Sequence, residues 1–150
     1  MTEHVQPLES LSRPCRILVV DDHQTFRRFV LSLLSKHPSV EIVGDVQDGV
    51  EAVQQSEMLQ PDVVLLDIGL PRMNGIEAAR QITRLVPGAR IVFLTQECSR
   101  DVVQAALGLG AWGYVLKTQA GSELLMALET VRQGERFVSS GIAHSSPDQP

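Results

Sequence analysis

The chain has 150 residues, of which 43% are hydrophobic, 21% charged and only 4% aromatic. That is the length of one domain with enough aliphatic material for a core, and it excludes an intrinsically disordered chain. Thirteen Lys and Arg against eighteen Asp and Glu leave a formal charge of −5, which argues against a protein that holds nucleic acid or an anionic membrane through its own field.

Residues 1–14 are polar and proline-bearing, without the continuous apolar stretch of a signal peptide, and are expected to form a flexible N-terminal tail. No apolar run approaches the ~18 residues of a membrane span, so the reading is a cytoplasmic protein with no membrane contact. Cys15 and Cys98 lie far apart and fit reduced thiols better than a disulfide framework or a zinc site. The first strand is predicted over Ile17–Val20. Phe26, Phe29, Val30, Leu33 and Leu34 then fall at i, i+3, i+4, i+7 and i+8, the apolar stripe of a helix ending near His37-Pro38. Strands over Val40–Val46, Val63–Leu66, Ile91–Leu94 and Tyr114–Leu116 alternate with helical windows over Gly49–Leu59, Ile76–Val86, Arg100–Leu109 and Ser122–Gln133. Gly88, Gly110 and Gly134 follow helical windows, where a left-handed terminal residue is wanted. The first, third and fourth strands are apolar at nearly every position, as in parallel strands covered on both faces.

Five strand–helix units predict an α/β fold: a doubly wound five-stranded parallel sheet, order 2-1-3-4-5, with five helices over residues 15–138. Residues 139–150 are expected to form a C-terminal tail or linker. In such a fold, ligands bind at the carboxyl ends of the strands. Asp21 and Asp22 end the first strand, Asp67 the third, Thr95 the fourth and Lys117 the fifth. Converging carboxylates must raise a pKa or hold a cation. A hard ion such as Mg²⁺, bridging carboxylates to a substrate phosphate, suits this donor set, and Asp67 could serve as a nucleophile towards phosphorus. Lys117 would supply a point charge, and Thr95 a hydroxyl, for phosphoryl oxygens.

These residues resemble the receiver domain of two-component response regulators, a flavodoxin-like fold. The matching elements, in order, are Val19-Val20-Asp21-Asp22, Leu65-Leu66-Asp67, Pro71-Arg72-Met73-Asn74-Gly75, Leu94-Thr95 and Gly113-Tyr114-Val115-Leu116-Lys117. Gly110-Ala111-Trp112-Gly113-Tyr114 and Gly134-Glu135-Arg136-Phe137-Val138-Ser139 are most similar to the NarL/LuxR group. The resemblance covers Arg16 to Phe137. It implies that Asp67 takes a phosphoryl group from a sensor histidine kinase, with Mg²⁺ held by Asp22, Asp67 and the Gly69 backbone carbonyl, and by Asp21 through water. It also implies a switch in which Thr95 turns towards the phosphoryl group and Tyr114 rotates inward. The surface of the fourth helix, fifth strand and fifth helix then changes, and self-association follows. The protein would be a signalling phosphoacceptor that assists its own phosphorylation and dephosphorylation, not an enzyme with an external substrate. Gly69 and Glu97 occupy the positions that tune phosphoryl lifetime in this family.

Two departures stand out. Thr118 replaces the proline usual after the lysine, and Gln96 is larger than the residue common beside the hydroxyl. Among competing assignments, Asp21 or Asp22 alone could be an N-cap and Tyr114 a core aromatic, while His23 is expected to be a surface histidine. A hydrolase of the haloacid dehalogenase type would also use an aspartate and Mg²⁺, but it carries a second acid two residues after the nucleophile, where this chain has Gly69. The thirteen residues after Phe137 are polar and show no helical period, so nucleic acid binding by this chain itself is not expected. Two readings of the output stay open: the receiver part of a transcriptional regulator, or a stand-alone receiver acting as a phosphate relay or interaction switch.

Overall fold

A computed structural model describes residues 13–144; the first twelve and last six residues, which include most of the expected N-terminal tail and half of the expected C-terminal one, lie outside the described residues. Strands β1 (Cys15–Val20), β2 (Val40–Val46), β3 (Val63–Leu66), β4 (Arg90–Thr95) and β5 (Gly113–Leu116) coincide with the predicted runs to within two residues. Helices α1 (Gln24–Ser35), α2 (Gly49–Leu59), α3 (Gly75–Leu85), α4 (Arg100–Gly108) and α5 (Ala120–Arg132) connect and follow them. The sheet is parallel throughout, in the order β2-β1-β3-β4-β5-β6, so the 2-1-3-4-5 expectation holds.

The sixth strand is an addition to the expected five. Phe137–Val138 (β6) pairs with Gly113–Tyr114 and is followed by a short helix, α6 (Ser140–His144). Neither shows in periodicity, because two residues cannot display an alternation and five cannot display a helical face. Ser139 is fully buried: its N–H donates to the Tyr114 carbonyl, its Oγ accepts from the Leu116 amide, and its hydroxyl donates to Glu123 at 2.6 Å. Ile142 is buried in the core, so packed structure continues past residue 138 into the segment read as a tail.

Strand side chains alternate between two cores. Leu18, Val20, Val64, Leu66, Phe93 and Tyr114 face α2, α3 and α4, whereas Ile17, Val19, Val63, Leu65, Val92, Leu94 and Val115 face α1 and α5. Covering both faces explains why β1 and β3 carry no exposed position after Arg16. Helix α1 departs from its predicted stripe. Val30 and Leu34 are buried as expected, but Phe29 is 43% exposed while Arg27 is 9% exposed. The Arg27 guanidinium donates to the Asp21 carbonyl at 2.7 Å and lies 3.4 Å from Asp45, partners that make its burial tolerable. Of the three glycines expected in a left-handed conformation, Gly110 (φ +100°) and Gly134 (φ +89°) adopt it and Gly88 does not; after α2 that role falls to Gln60 (φ 51°).

Candidate functional site

Parallel pairing puts the carboxyl ends of β1, β3, β4 and β5 at one rim of the sheet, and the residues just beyond those ends form the site. Asp21 follows a strand that is apolar from Ile17 onward and Asp67 one that is apolar throughout, and both are buried, at 3% and 4% exposure. Their backbones are stitched into the rim: the Asp67 N–H donates to the Val20 carbonyl and the Asp21 N–H to that of Val46. One Asp67 oxygen, Oδ1, accepts from the Ile68 amide at 2.7 Å. The other, Oδ2, faces Lys117, whose Nζ lies 2.9 Å from it and 2.8 Å from Asp21 Oδ2. Burial alone would lower the ammonium's pKa, but the hydrogen bonds and charges of Asp21 and Asp67 outweigh it and push the pKa upward, so Lys117 is a fixed cation. Its Nζ also lies 4.8 Å from the centre of the Phe26 ring.

Asp22 is more exposed, at the lip of the crevice. Asp21, Asp22, His23 and Asp67 each offer one donor atom within 4.8 Å of the others. Three carboxylates beside a single ammonium leave net negative charge at one spot, and this oxygen-rich donor set fits a divalent cation. His23, expected at the surface, has a largely exposed ring, yet its Nδ1 lies 3.3 Å from Asp21 and 3.4 Å from Asp22. Its place directly after Asp21-Asp22 is the one signal in the sequence, and metal-ligand spacing with the other histidines is lacking. Arg27 also joins the site's surroundings, and one arginine within an apolar helix gives no signal in the sequence until its partners are placed.

Thr95 and Tyr114 stand together on neighbouring strands but outside the carboxylate cluster. Thr95 is 1% exposed, and its Oγ1 accepts from the Glu97 amide at 3.2 Å. Tyr114 is fully buried, packed against Phe93 with ring centres 6.0 Å apart. Glu97 and Gln96 are exposed, as is Cys98. Lys117 opens a short 3₁₀ turn, Lys117–Gln119, and every peptide bond among the described residues is trans, that of Thr118 included.

The loop from Asp67 to Asn74 forms the remaining wall, and Gly69 is exposed within it. Asn74 caps α3 by accepting from the Glu77 amide, and Asp48 caps α2 by accepting from that of Glu51. Asp48 also holds the Arg72 guanidinium at 3.1 Å, with Arg72 at φ 68°. Gly75 is where the loop turns into the helix. A Cβ there would stand 2.0 Å from the Asp67 carbonyl oxygen and 2.7 Å from Ile68 Cα, which leaves glycine as the residue that fits.

The profile of the response regulator receiver domain matches residues 17–129. The chain is 35% identical over 130 residues to the transcriptional regulatory protein DegU of Brevibacillus brevis, covering 87% of this chain and 55% of the relative. It is 35% identical over 133 residues to the nitrate/nitrite response regulator NarL of Escherichia coli K12, covering 89% of this chain and 62% of that protein. Among solved structures, a LuxR-family two-component response regulator from Aurantimonas superposes with a TM-score of 0.83 at 34% identity, over 87% of this chain and 94% of that one. The chain thus spans about 55–62% of the length of these curated relatives. Among the described residues no helix is long and apolar enough to cross a membrane. The sheet order, the acidic rim with its lysine, and these likenesses lead to one conclusion: the chain belongs to the response regulator receiver domain family, in its NarL/LuxR group.

Proposed function

We propose that Asp67 is the phosphoacceptor of this receiver and that Lys117, Thr95 and the acidic pair serve it. The observation that carries this reading is the single ammonium shared between the two buried carboxylates, 2.8 Å from Asp21 and 2.9 Å from Asp67. In the transfer, an Asp67 oxygen forms a bond to phosphorus while the bond from phosphorus to the imidazole nitrogen of a sensor kinase phosphohistidine breaks, and the electron pair leaves with the imidazole. Mg²⁺, held by Asp21, Asp22, Asp67 and the Gly69 backbone carbonyl, would offset the charge of the phosphoryl oxygens. Lys117 keeps a permanent positive charge at the same place, and the Thr95 hydroxyl leaves the Glu97 amide to hydrogen-bond a phosphoryl oxygen. The buried ring of Tyr114 is compatible with the inward position that the switch would use. Gly69 offers no side chain to shield an attacking water, and Glu97 places a charge near the entrance; together they set the phosphoryl lifetime.

The protein is thus a cytoplasmic phosphoacceptor that assists its own labelling and loss of label, and the receiver part of a transcriptional regulator whose DNA contacts lie outside this chain. Labelling promotes homodimer formation through a helical face. Intact mass after incubation with acetyl phosphate tests the assignment. One phosphoryl adduct that requires Mg²⁺ and is absent from Asp67→Asn is expected, with a dimer in sedimentation of the labelled sample. An adduct retained by Asp67→Asn would overturn it.

A further inference from the structure

His23 occupies the N-cap position of α1, with φ −90° and ψ 105°, yet its side chain caps nothing. An N-cap residue ordinarily turns a side-chain acceptor back onto an amide of the first helical turn. This imidazole turns the other way, with Nδ1 at 3.3 Å from Asp21, 3.4 Å from Asp22 and 3.9 Å from Asp67. The His23 backbone N–H donates to the Asp21 carboxylate at 2.8 Å, which roots the ring beside the cluster. Donor atoms about 2.1 Å from a common ion stand about 3.0–4.2 Å from one another in tetrahedral or octahedral shells. The three nitrogen–oxygen separations fall in that interval. The ring is 59% exposed, so an arriving ion meets it first.

Oxygen donors alone suit Mg²⁺, whereas an imidazole nitrogen adds affinity for later first-row ions and little for magnesium. We propose that His23 is a nitrogen donor of this cation site, and that it shifts the site's preference towards Zn²⁺ and Mn²⁺ relative to Mg²⁺. The inference rests on the reading that Asp21, Asp22 and Asp67 hold a divalent cation. It makes occupancy of the phosphorylation site responsive to transition-metal supply, because an ion held by the imidazole excludes magnesium from the same carboxylates.

Mn²⁺ is the probe, added to the full chain and followed by electron paramagnetic resonance. The bound ion should show the modulation of a directly coordinated imidazole nitrogen, and His23→Ala should lose it. Displacing the Mn²⁺ with Zn²⁺ should require about tenfold more Zn²⁺ in His23→Ala once corrected for Mn²⁺ affinity, while the Mg²⁺ affinity shifts less than twofold. Bound Mn²⁺ without nitrogen modulation, or equal losses for Zn²⁺ and Mg²⁺, would overturn the role of His23 and leave the carboxylate site standing. No bound Mn²⁺ and no Mg²⁺ binding would overturn both.

Discussion

The phenolic hydroxyl of Tyr114 donates a 2.6 Å hydrogen bond to the backbone carbonyl of Glu97. The amide of the same residue donates to Thr95 Oγ1, so the two side chains implied in the family's switch meet at the two ends of one residue in the β4–α4 loop. Burial, reinforced by the Glu97 carboxylate, pushes the phenol's pKa well above its usual range, and Tyr114 acts as a neutral donor. Tyr114→Phe should keep the ring packed on Phe93 and lose only this bond. The expected cost is about 1 kcal/mol in urea unfolding at unchanged slope, with faster amide exchange at Glu97. Unaltered protection there would show that the hydroxyl does not hold the loop.

Gly75 joins the loop wall to α3 under the main chain of Asp67. In an ordinary helix, Gly→Ala gains up to about 1 kcal/mol. Here the added methyl meets main-chain atoms that cannot swing aside, 2.0 Å from the Asp67 carbonyl oxygen. Gly75→Ala should therefore destabilise by roughly 2 kcal/mol or more and slow phosphoryl labelling, because the displaced backbone carries the acceptor. Thermal unfolding and initial labelling rates check both parts. A stabilised variant would show that the close approach relaxes without cost.

Asp22 differs from its two neighbours in being open to solvent, with His23 as its nearby partner. Replacing it by Asn removes one of three crowded negative charges. Without divalent ions, Asp22→Asn should be as stable as the parent or more stable by up to about 1 kcal/mol. Magnesium at a hundred times its dissociation constant stabilises a protein by about 2.7 kcal/mol, and at the same concentration the variant should gain much less. Melting temperatures across a Mg²⁺ titration give the comparison, and a full shift in Asp22→Asn would remove this residue from the cation site.

Glu123 on α5 accepts from the Ser139 hydroxyl at 2.6 Å, from the Ser140 hydroxyl at 3.0 Å and from the Ser140 amide at 3.3 Å. Desolvation raises its pKa, but these hydrogen bonds prevail and the folded carboxyl titrates below the ordinary glutamate value. A depressed folded pKa contributes stability that is present above the unfolded value, about 4.5, and disappears as pH falls through the folded one. The stability gap between the parent and Glu123→Gln should be largest near neutral pH and close in acid. A gap that persists at pH 3 would assign the effect to packing instead of charge.

The strands were legible because parallel strands buried on two faces must be apolar at almost every position, as Val63–Leu66 is. The carboxyl-end rule then predicts the convergence of Asp21, Asp67 and Lys117. Other features depend on partners that sequence does not reveal. The buried face of α1 is shifted because Arg27 finds the Asp21 carbonyl and Asp45, which leaves Phe29 outside. His23 lies next to the acidic pair in sequence, but the direction of its ring towards Asp21, Asp22 and Asp67 shows only in the folded chain. Ser139 reads as a polar tail residue, and its burial depends on Glu123, sixteen positions earlier. Periodicity detects faces, whereas these are individual polar pairings.

The pairing of Phe137–Val138 with β5 bears on where this domain can be cut. A chain ended after α5 would leave the outer edge of Gly113–Tyr114, and the Leu116 amide beyond it, without the partners that Phe137–Ser139 supply. Exposed edges of that kind recruit strands from other molecules. During synthesis the same edge stays open until residue 138 has left the ribosome, and it is sealed only when Ser139 docks between Tyr114, Leu116 and Glu123. A fragment that extends through Ile142 should therefore stay soluble at higher concentration than one that ends after α5, and the shorter one should lose solubility before it loses helical content.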